Sequence, residues 1–395
     1  ISAATEVMKS GTLSAYYGSW GKNFLGGPKV REFEQASQEF FNVKHAITFN
    51  SWTSGLMASV GALELEPGDE VIVTPWTMCA SATAILQWNC IPVFADIDED
   101  SFCIDPKSIE KNISNRTRAI MSVDIFGQSA DVESINAIAN KYNLKVISDT
   151  AQAPSAMVGD SFAGTLTDIG GYSLNYHKHI HTGEGGIVVT NDDSYAEKVQ
   201  LIRNHAEAVV GDMGKKDIVN MIGGNYRLGE IECAIGLEQL KKLPNLVKSR
   251  QDAAARLTKG LKGLSGLKTP HVRTGNTHVY YIYPLVIDPM ILNLEKSKII
   301  NALEAEGVPG LMQQYSNVHL LPMYQEKICY GKKGFPWNLG RENISYEKGI
   351  CPKAERLNDD TFFGLELCMY EFNSNEVDQV ISAFHKVWEN LSDLK

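Results

Sequence analysis

No stretch of this 395-residue sequence approaches the roughly 18 consecutive apolar residues of a membrane-spanning helix. The opening ISAATEVMKSG has neither the charged nor the apolar region of a secretory signal. The seven cysteines, at 79, 90, 103, 233, 329, 351 and 368, form no CxxC pair and no disulfide spacing, so a reducing, cytoplasmic setting is expected. No basic run offsets a formal net charge of −10. That balance argues against general affinity for nucleic acid or anionic membranes and leaves small molecules as the expected partners. The string GEGG at 183–186 lacks the GxGxxG order of a dinucleotide turn, which sets NAD binding aside. Internal repeats and low-complexity tracts are missing as well.

What is present is 44% hydrophobic residues, enough for a large core and for a division into a bigger and a smaller unit. Apolar runs at EVIVT, PVFAD, AIMSV, KVISD and GGYSL alternate with helical patterns such as VREFEQASQEFF and DVESINAIANKY. The alternation predicts right-handed βαβ units over a mostly parallel sheet, an α/β class. Near Pro244 the pattern changes to a long amphipathic helix reaching Leu264, a strand in VYYIYPLVI, a helix in EKSKIINALEAEG and a last helix in NEVDQVISAFHKVWENL. Residues 1–244 are expected to form a large α/β domain and 245–395 a small α+β domain.

The chemistry concentrates around Lys178, in SLNYHKHIHTGEGG. A lysine between an apolar strand and a glycine-rich turn can be partly desolvated, which favours the neutral amine that condenses with carbonyls; the plain alternative is a solvated surface charge. Upstream, KVISD places Asp149 at the carboxyl end of a buried strand, the edge where ligands collect in α/β sheets. A carboxylate there could keep a pyridine nitrogen protonated, so Asp149 with Lys178 suggests pyridoxal 5'-phosphate. The phosphate would need an anion cradle. HAITFNSWTSGLMASVGAL reads as a strand through Phe49, a polar turn and a helix from about Ser54, with Thr53 and Ser54 at its start. Ordinary helix capping by the same residues is the alternative. Ser173 is a second phosphate candidate, or merely the end of a strand.

His177, His179 and His181 stand at alternate positions and would share one face of an extended strand. A metal reading is disfavoured, since a cation would oppose the protonated lysine and no carboxylate or cysteine stands nearby at ligand spacing. Polar lining of the cleft, or binding of an anionic substrate group by His177 or His181, is expected instead. The segment Gln313–Trp337, with Tyr315, His319, Tyr324, Tyr330 and Trp337, and the segment Tyr16–Phe24 are aromatic and aperiodic. Loops of this kind carry substrate contacts, for which Tyr315 and His319 are candidates, or pack at a dimer interface.

Several separated motifs resemble the DegT/DnrJ/StrS family of sugar aminotransferases, fold type I enzymes that use pyridoxal phosphate. They are GGPKVREFEQASQEFF, NSWTSGLMASVGAL, EVIVTPWTMCASATAI, PVFADID, IFGQSADVESI, SDTAQAP, YSLNYHK, TGEGGIVVTND and GNYRLGEIECAIGLEQL. The resemblance implies that Lys178 is the Schiff-base lysine and proton carrier. It implies that Asp149 meets the pyridine nitrogen, that Gln152 lies against the ring's phenolic oxygen, and that Thr53, Ser54 and Ser173 hold the phosphate. Asn225 would come from the other subunit of a homodimer with shared sites. Met78 stands where the family usually has an aromatic ring over the cofactor; a thioether can pack on a π face, or Trp76 could replace the ring from a shifted position. Related dehydratases carry histidine at the lysine position, and lysine here favours transamination. The implied donor is L-glutamate, or glutamine. The implied acceptor is a sugar: first 8-oxo-3,8-dideoxy-octulosonate, giving an amino sugar acid for lipopolysaccharide, otherwise a nucleotide-linked keto-sugar or a cyclitol ketone. A sugar dehydratase is the reading from another class.

Overall fold

In the computed structural model, which describes residues 1–394, the apolar runs become short buried strands. They are β1 (His45–Phe49), β2 (Glu70–Val73), β3 (Ile91–Phe94), β4 (Thr117–Val123), β5 (Lys145–Asp149), the hairpin β6 (Met157–Val158) and β7 (Ser161–Phe162), β8 (Ile169–Ser173) and β9 (Gly186–Thr190). Helices α1 (Ser2–Ser10), α2 (Pro28–Phe41), α3 (Trp52–Ala62), α4 (Ala80–Gln87), α5 (Pro106–Asn112), α6 (Val132–Tyr142), α7 (Asp193–Arg203) and α8 (Glu230–Leu240) intervene or follow. The seven-stranded sheet runs β1-β9-β8-β5-β4-β2-β3. β2, β3, β4, β5 and β8 pair in parallel, while β9 is antiparallel to both of its neighbours. This is the mostly parallel α/β sheet expected from unbroken β-branched runs, which suit strands covered on both faces.

α9 (Leu243–Leu261) leads into a four-stranded antiparallel sheet, β10-β11-β13-β12, built from β10 (Leu267–Lys268), β11 (Tyr283–Ile287), β12 (Leu311–Met312) and β13 (Phe362–Leu365). Helices α10 (Pro289–Leu292), α11 (Lys296–Ala305), α12 (Pro322–Gln325), α13 (Pro352–Arg356) and α14 (Ser374–Glu389) complete the chain's helices. Two expectations are corrected here. The strand expected over VYYIYPLVI begins only at Tyr283, and residues 278–282 are irregular. The aromatic segment after Gln313 contributes Val318, Tyr324 and Trp337 to the same apolar cluster as β2, β3 and β4. The Tyr346 hydroxyl, farther on, donates to Pro92 O at 2.7 Å. Aperiodic spacing hid a stretch that is core, because its aromatics reach inward from short turns and not from one helix face.

Candidate active site

The carboxyl ends of β5 and β8 and the start of α3 meet above the sheet. Asp149, the last residue of β5, is 4% exposed. Its Oδ1 accepts the Trp52 indole N–H at 2.7 Å and the Ala151 amide at 3.2 Å, and its Oδ2 accepts the Ser81 hydroxyl at 2.7 Å. Trp52 can reach it because β8 and β9 carry glycine where the helix crosses: a Cβ on Gly171 would lie 2.2 Å from the Trp52 ring, and one on Gly186 2.6 Å from the Trp52 backbone. Neither Trp52 nor Ser81 was singled out from the sequence. The available signal was the glycine pair inside strand β8, which marks a close approach by something else.

Lys178 lies in a loop between β8 and β9. The loop is closed by Leu174 N–H to Gly185 O at 2.9 Å, Thr182 N–H to Leu174 O at 3.0 Å and Lys178 N–H to Asn175 O at 2.9 Å. Its amine makes no salt bridge among the described residues and sits 4.3 Å from the centre of the Tyr281 ring. Burial pushes the amine down to about 8, against the opposing pull of Asp149 and Cys368. A lysine so placed is neutral, and so a nucleophile or base, in a far larger fraction near neutral pH than an ordinary solvated lysine.

The helix start differs from the expectation. α3 begins at Trp52, two residues before Ser54, and its cap is Ser51, whose Oγ accepts the Ser54 amide at 3.1 Å. The Ser54 hydroxyl contacts Ser51 Oγ at 2.6 Å and donates to Asn50 Oδ1. Thr53 is half-buried in the first turn, and Ser173 is buried at the end of β8, where its Oγ accepts the Asn175 amide at 3.3 Å. Asn225 is exposed; its carbonyl accepts Asn50 Nδ2 at 3.3 Å and its side-chain oxygen accepts Arg227 Nε at 2.7 Å. Gln152 accepts the Phe126 amide at 2.8 Å and donates to the Tyr315 hydroxyl at 2.9 Å. Met78 is 59% exposed three residues before Ser81, its sulfur accepting the Ala80 amide at 3.1 Å.

Other expectations are corrected. Trp76 cannot replace a ring over the cofactor: it is fully buried, 4.9 Å from Phe362 and 5.8 Å from both Phe102 and Phe126. The three histidines do not share a strand face, because residues 176–180 form a turn and bends and 181–182 are irregular. His179 is buried and donates to Val279 O at 2.8 Å. His177 is pushed down to about 4, by burial first and by Lys178 next, and is therefore neutral where an anion would need a cation. His181 is half-buried with an unpartnered Nδ1. His319 is sealed in the core, its Nε2 3.0 Å from Glu355 Oε1, and is withdrawn as a substrate contact. A groove of 1190 Å³ is lined by residues such as Lys268, Met290, Lys296 and Arg356 and contains neither Lys178 nor Asp149. Volume alone does not identify the reactive centre; the donor chemistry does.

Solved aminotransferases share this architecture. An aminotransferase from Psychrobacter cryohalolentis matches with a TM-score of 0.84 at 26% identity, covering 99% of this chain and 96% of that one. Helicobacter pylori PseC, an aminotransferase involved in the biosynthesis of pseudoaminic acid, matches with a TM-score of 0.80 at 29% identity, covering 98% and 96%. The protein is a fold type I, pyridoxal phosphate-dependent aminotransferase. Residues 15–361 match the DegT/DnrJ/EryC1/StrS aminotransferase family, and the chain belongs to it. Among its relatives, spore coat polysaccharide biosynthesis protein SpsC of Bacillus subtilis is 32% identical over 342 residues, 85% of each chain. GDP-perosamine synthase of Caulobacter vibrioides is 34% identical over 299 residues, 75% of this chain and 79% of its own.

The residues present fit the cofactor. A carboxylate has about four lone-pair positions; Asp149 uses three of them within the chain, which leaves one for a pyridinium N–H. The Gln152 amide has one N–H beyond the one given to Tyr315. The free first-turn amides of α3 and the hydroxyls around them suit a phosphate.

Proposed function

We propose that the enzyme moves an amino group from L-glutamate to the carbonyl of a sugar, and that the acceptor is a nucleotide-linked keto-sugar. Similarity to GDP-perosamine synthase supports this acceptor ahead of the eight-carbon 8-oxo-3,8-dideoxy-octulosonate, with a cyclitol ketone third. The single observation that carries the reaction type is the un-paired Lys178 amine, pushed down to about 8 beside Asp149. Bound pyridoxal phosphate would supply the electron sink for the carbon that loses its proton.

Lys178 Nζ would hold the cofactor covalently at rest and, when free, would hold and move the proton. Asp149, braced by Trp52 and Ser81, would orient the cofactor ring by accepting from its nitrogen. The Gln152 amide, which donates to the Tyr315 hydroxyl, would meet the phenolic oxygen. Met78 would pack its thioether on the cofactor ring. Thr53, Ser54, Ser173 and Asn225 of the partner subunit hold the phosphate, which makes a homodimer with shared sites part of the proposal. Tyr315 and His181 contact the acceptor; His177 lines the cleft as a neutral ring.

The cytoplasm is proposed as the location, supported by seven cysteines that are all free. No helix among the described residues is long and apolar enough to cross a membrane. The division into units 1–244 and 245–395 is likewise proposed, with part of the 313–357 segment packing back on the larger sheet. The functional test is direct. The yellow protein mixed with glutamate should lose its Schiff-base absorbance, and an added GDP- or dTDP-keto-sugar should restore it faster than 8-oxo-octulosonate does. Faster restoration by the octulosonate reverses the acceptor assignment. No response to glutamate, combined with release of a deoxygenated, amine-free product, replaces transamination by dehydration.

A further inference from the structure

The Lys178 turn is fastened to an irregular strap, residues 278–282, that ends beneath the lysine amine. His179 donates to Val279 O at 2.8 Å, the Val279 amide donates to Gly127 O at 2.7 Å, and the Ile282 amide to Phe126 O at 3.2 Å. The Cys368 amide donates to Tyr281 O at 3.2 Å. At Gly127 the two backbones touch: its φ is +118°, and a Cβ there would lie 2.7 Å from Tyr280 N. The Tyr281 ring is thus held from several sides, with Lys178 Nζ 4.3 Å from its centre, inside the roughly 6 Å over which a ring face attracts a cation.

We propose that Tyr281 is a positioning residue for Lys178: its ring face seats the free ε-ammonium, and so sets how readily the lysine gives up and takes back a proton. The inference rests on Lys178 being the reactive lysine. The titratable groups facing the amine are Asp149 from β5, Cys368 from the segment after β13, His177 and His179 from its own turn, and Tyr281 itself. Arg250 of α9 faces His179 and Cys368, and Tyr315 faces Asp149. Of these, Asp149 opposes the burial that disfavours the charged amine. The aromatic quadrupole adds to that opposition, because it stabilises the cation and not the neutral amine. Loss of the ring with volume roughly kept therefore lowers the pH at which the amine becomes reactive.

The test follows reductive methylation of Lys178 against pH in the chain freed of cofactor, read by peptide mass, alongside steady-state kinetics of the holoenzyme. The parent should be half-reactive near pH 8. Tyr281→Phe should match it, whereas Tyr281→Leu and Tyr281→Met should react at a midpoint lower by up to about one pH unit. The ring-free variants should also lose kcat by roughly tenfold with acceptor KM unchanged. Either ring-free variant suffices if the other does not fold. An unmoved or raised midpoint in both, or a Tyr281→Phe midpoint equal to that of Tyr281→Leu, overturns the proposal. If borohydride treatment of the parent holoenzyme fixes no pyridoxyl group on Lys178, the functional reading fails instead.

Discussion

A buried cation and a half-buried one in this chain are treated in opposite ways. Arg203 is 0% exposed and paired through both terminal nitrogens, with only its Nε left without a partner. Its Nη1 is 2.6 Å from Glu34 Oε1 and 3.1 Å from Thr48 O, and Tyr16 lies against it with its ring centre 5.1 Å away. Burial works against its charge, but Tyr16 and Glu34 outweigh it and hold the guanidinium above its ordinary value. Lys178 is given a ring face and no carboxylate in contact, and it falls to about 8. A cation supplied with a counter-charge stays charged and ties elements together, here α2, β1 and α7. A cation denied one becomes a base. The same side-chain class builds the fold in one place and performs chemistry in another, and the partner decides which.

Substitution at each cation should expose the contrast. Lys178→Ala is expected to lose turnover by about 10⁴-fold or more and to leave no borohydride-fixed adduct, with a melting temperature no lower than that of the parent. A large stability loss would place Lys178 with Arg203. Glu34→Gln should do the reverse. Leaving the Arg203 charge buried without its partner costs roughly 3–5 kcal/mol, seen as a lower urea midpoint, while kcat of the folded fraction is unchanged. Asp149→Asn, which removes the proposed acceptor for the ring nitrogen and one of the charges that raises Lys178, should reduce kcat by about 10²-fold and move the Lys178 labelling midpoint to lower pH.

Stability against pH gives a subtler separation. The folded Lys178 amine titrates near 8 and its ordinary value is 10.5. Below pH 8 folded and unfolded chains both hold the proton and the folded state carries the full burial penalty. Between 8 and 10.5 the unfolded chain binds the extra proton, so this residue's contribution to stability rises with pH. With both chains freed of cofactor, the unfolding free energy of the parent minus that of Lys178→Met should therefore increase across that window; a flat difference would contradict the shifted amine. The smallest effect is expected at the cleft wall. His181→Gln should raise acceptor KM by a few-fold, while His177→Gln, which removes a ring already neutral, should leave it within about twofold.

Much of this was readable in the residues. Runs such as EVIVT and KVISD leave little choice but buried parallel strands, and Asp149 and Lys178 announce themselves because polar groups at strand ends face a cleft. What brings them together was not readable. Trp52 is 97 residues from Asp149 and Ser81 is 68 residues from it, and a tryptophan opening an apolar helix has the pattern of ordinary core. Tyr281 was hidden inside a run of aromatic and β-branched residues whose first half never becomes strand. His319 misled in the other direction: a histidine in an aperiodic, aromatic loop suggests a ligand contact, yet Glu355 satisfies it deep inside. Periodicity reports which side of an element is covered, and it carries no information about partners brought in from elsewhere in the chain.

The indole of Trp52, bound through its N–H to the carboxylate proposed to receive the cofactor, also gives the enzyme an internal lamp. One of six tryptophans, it is the one whose N–H shares Asp149, so its emission should dim by energy transfer as the site fills, and a Trp52→Phe variant should lose most of that dimming. Loading of the site could then be followed by fluorescence in real time, without substrate and without a label.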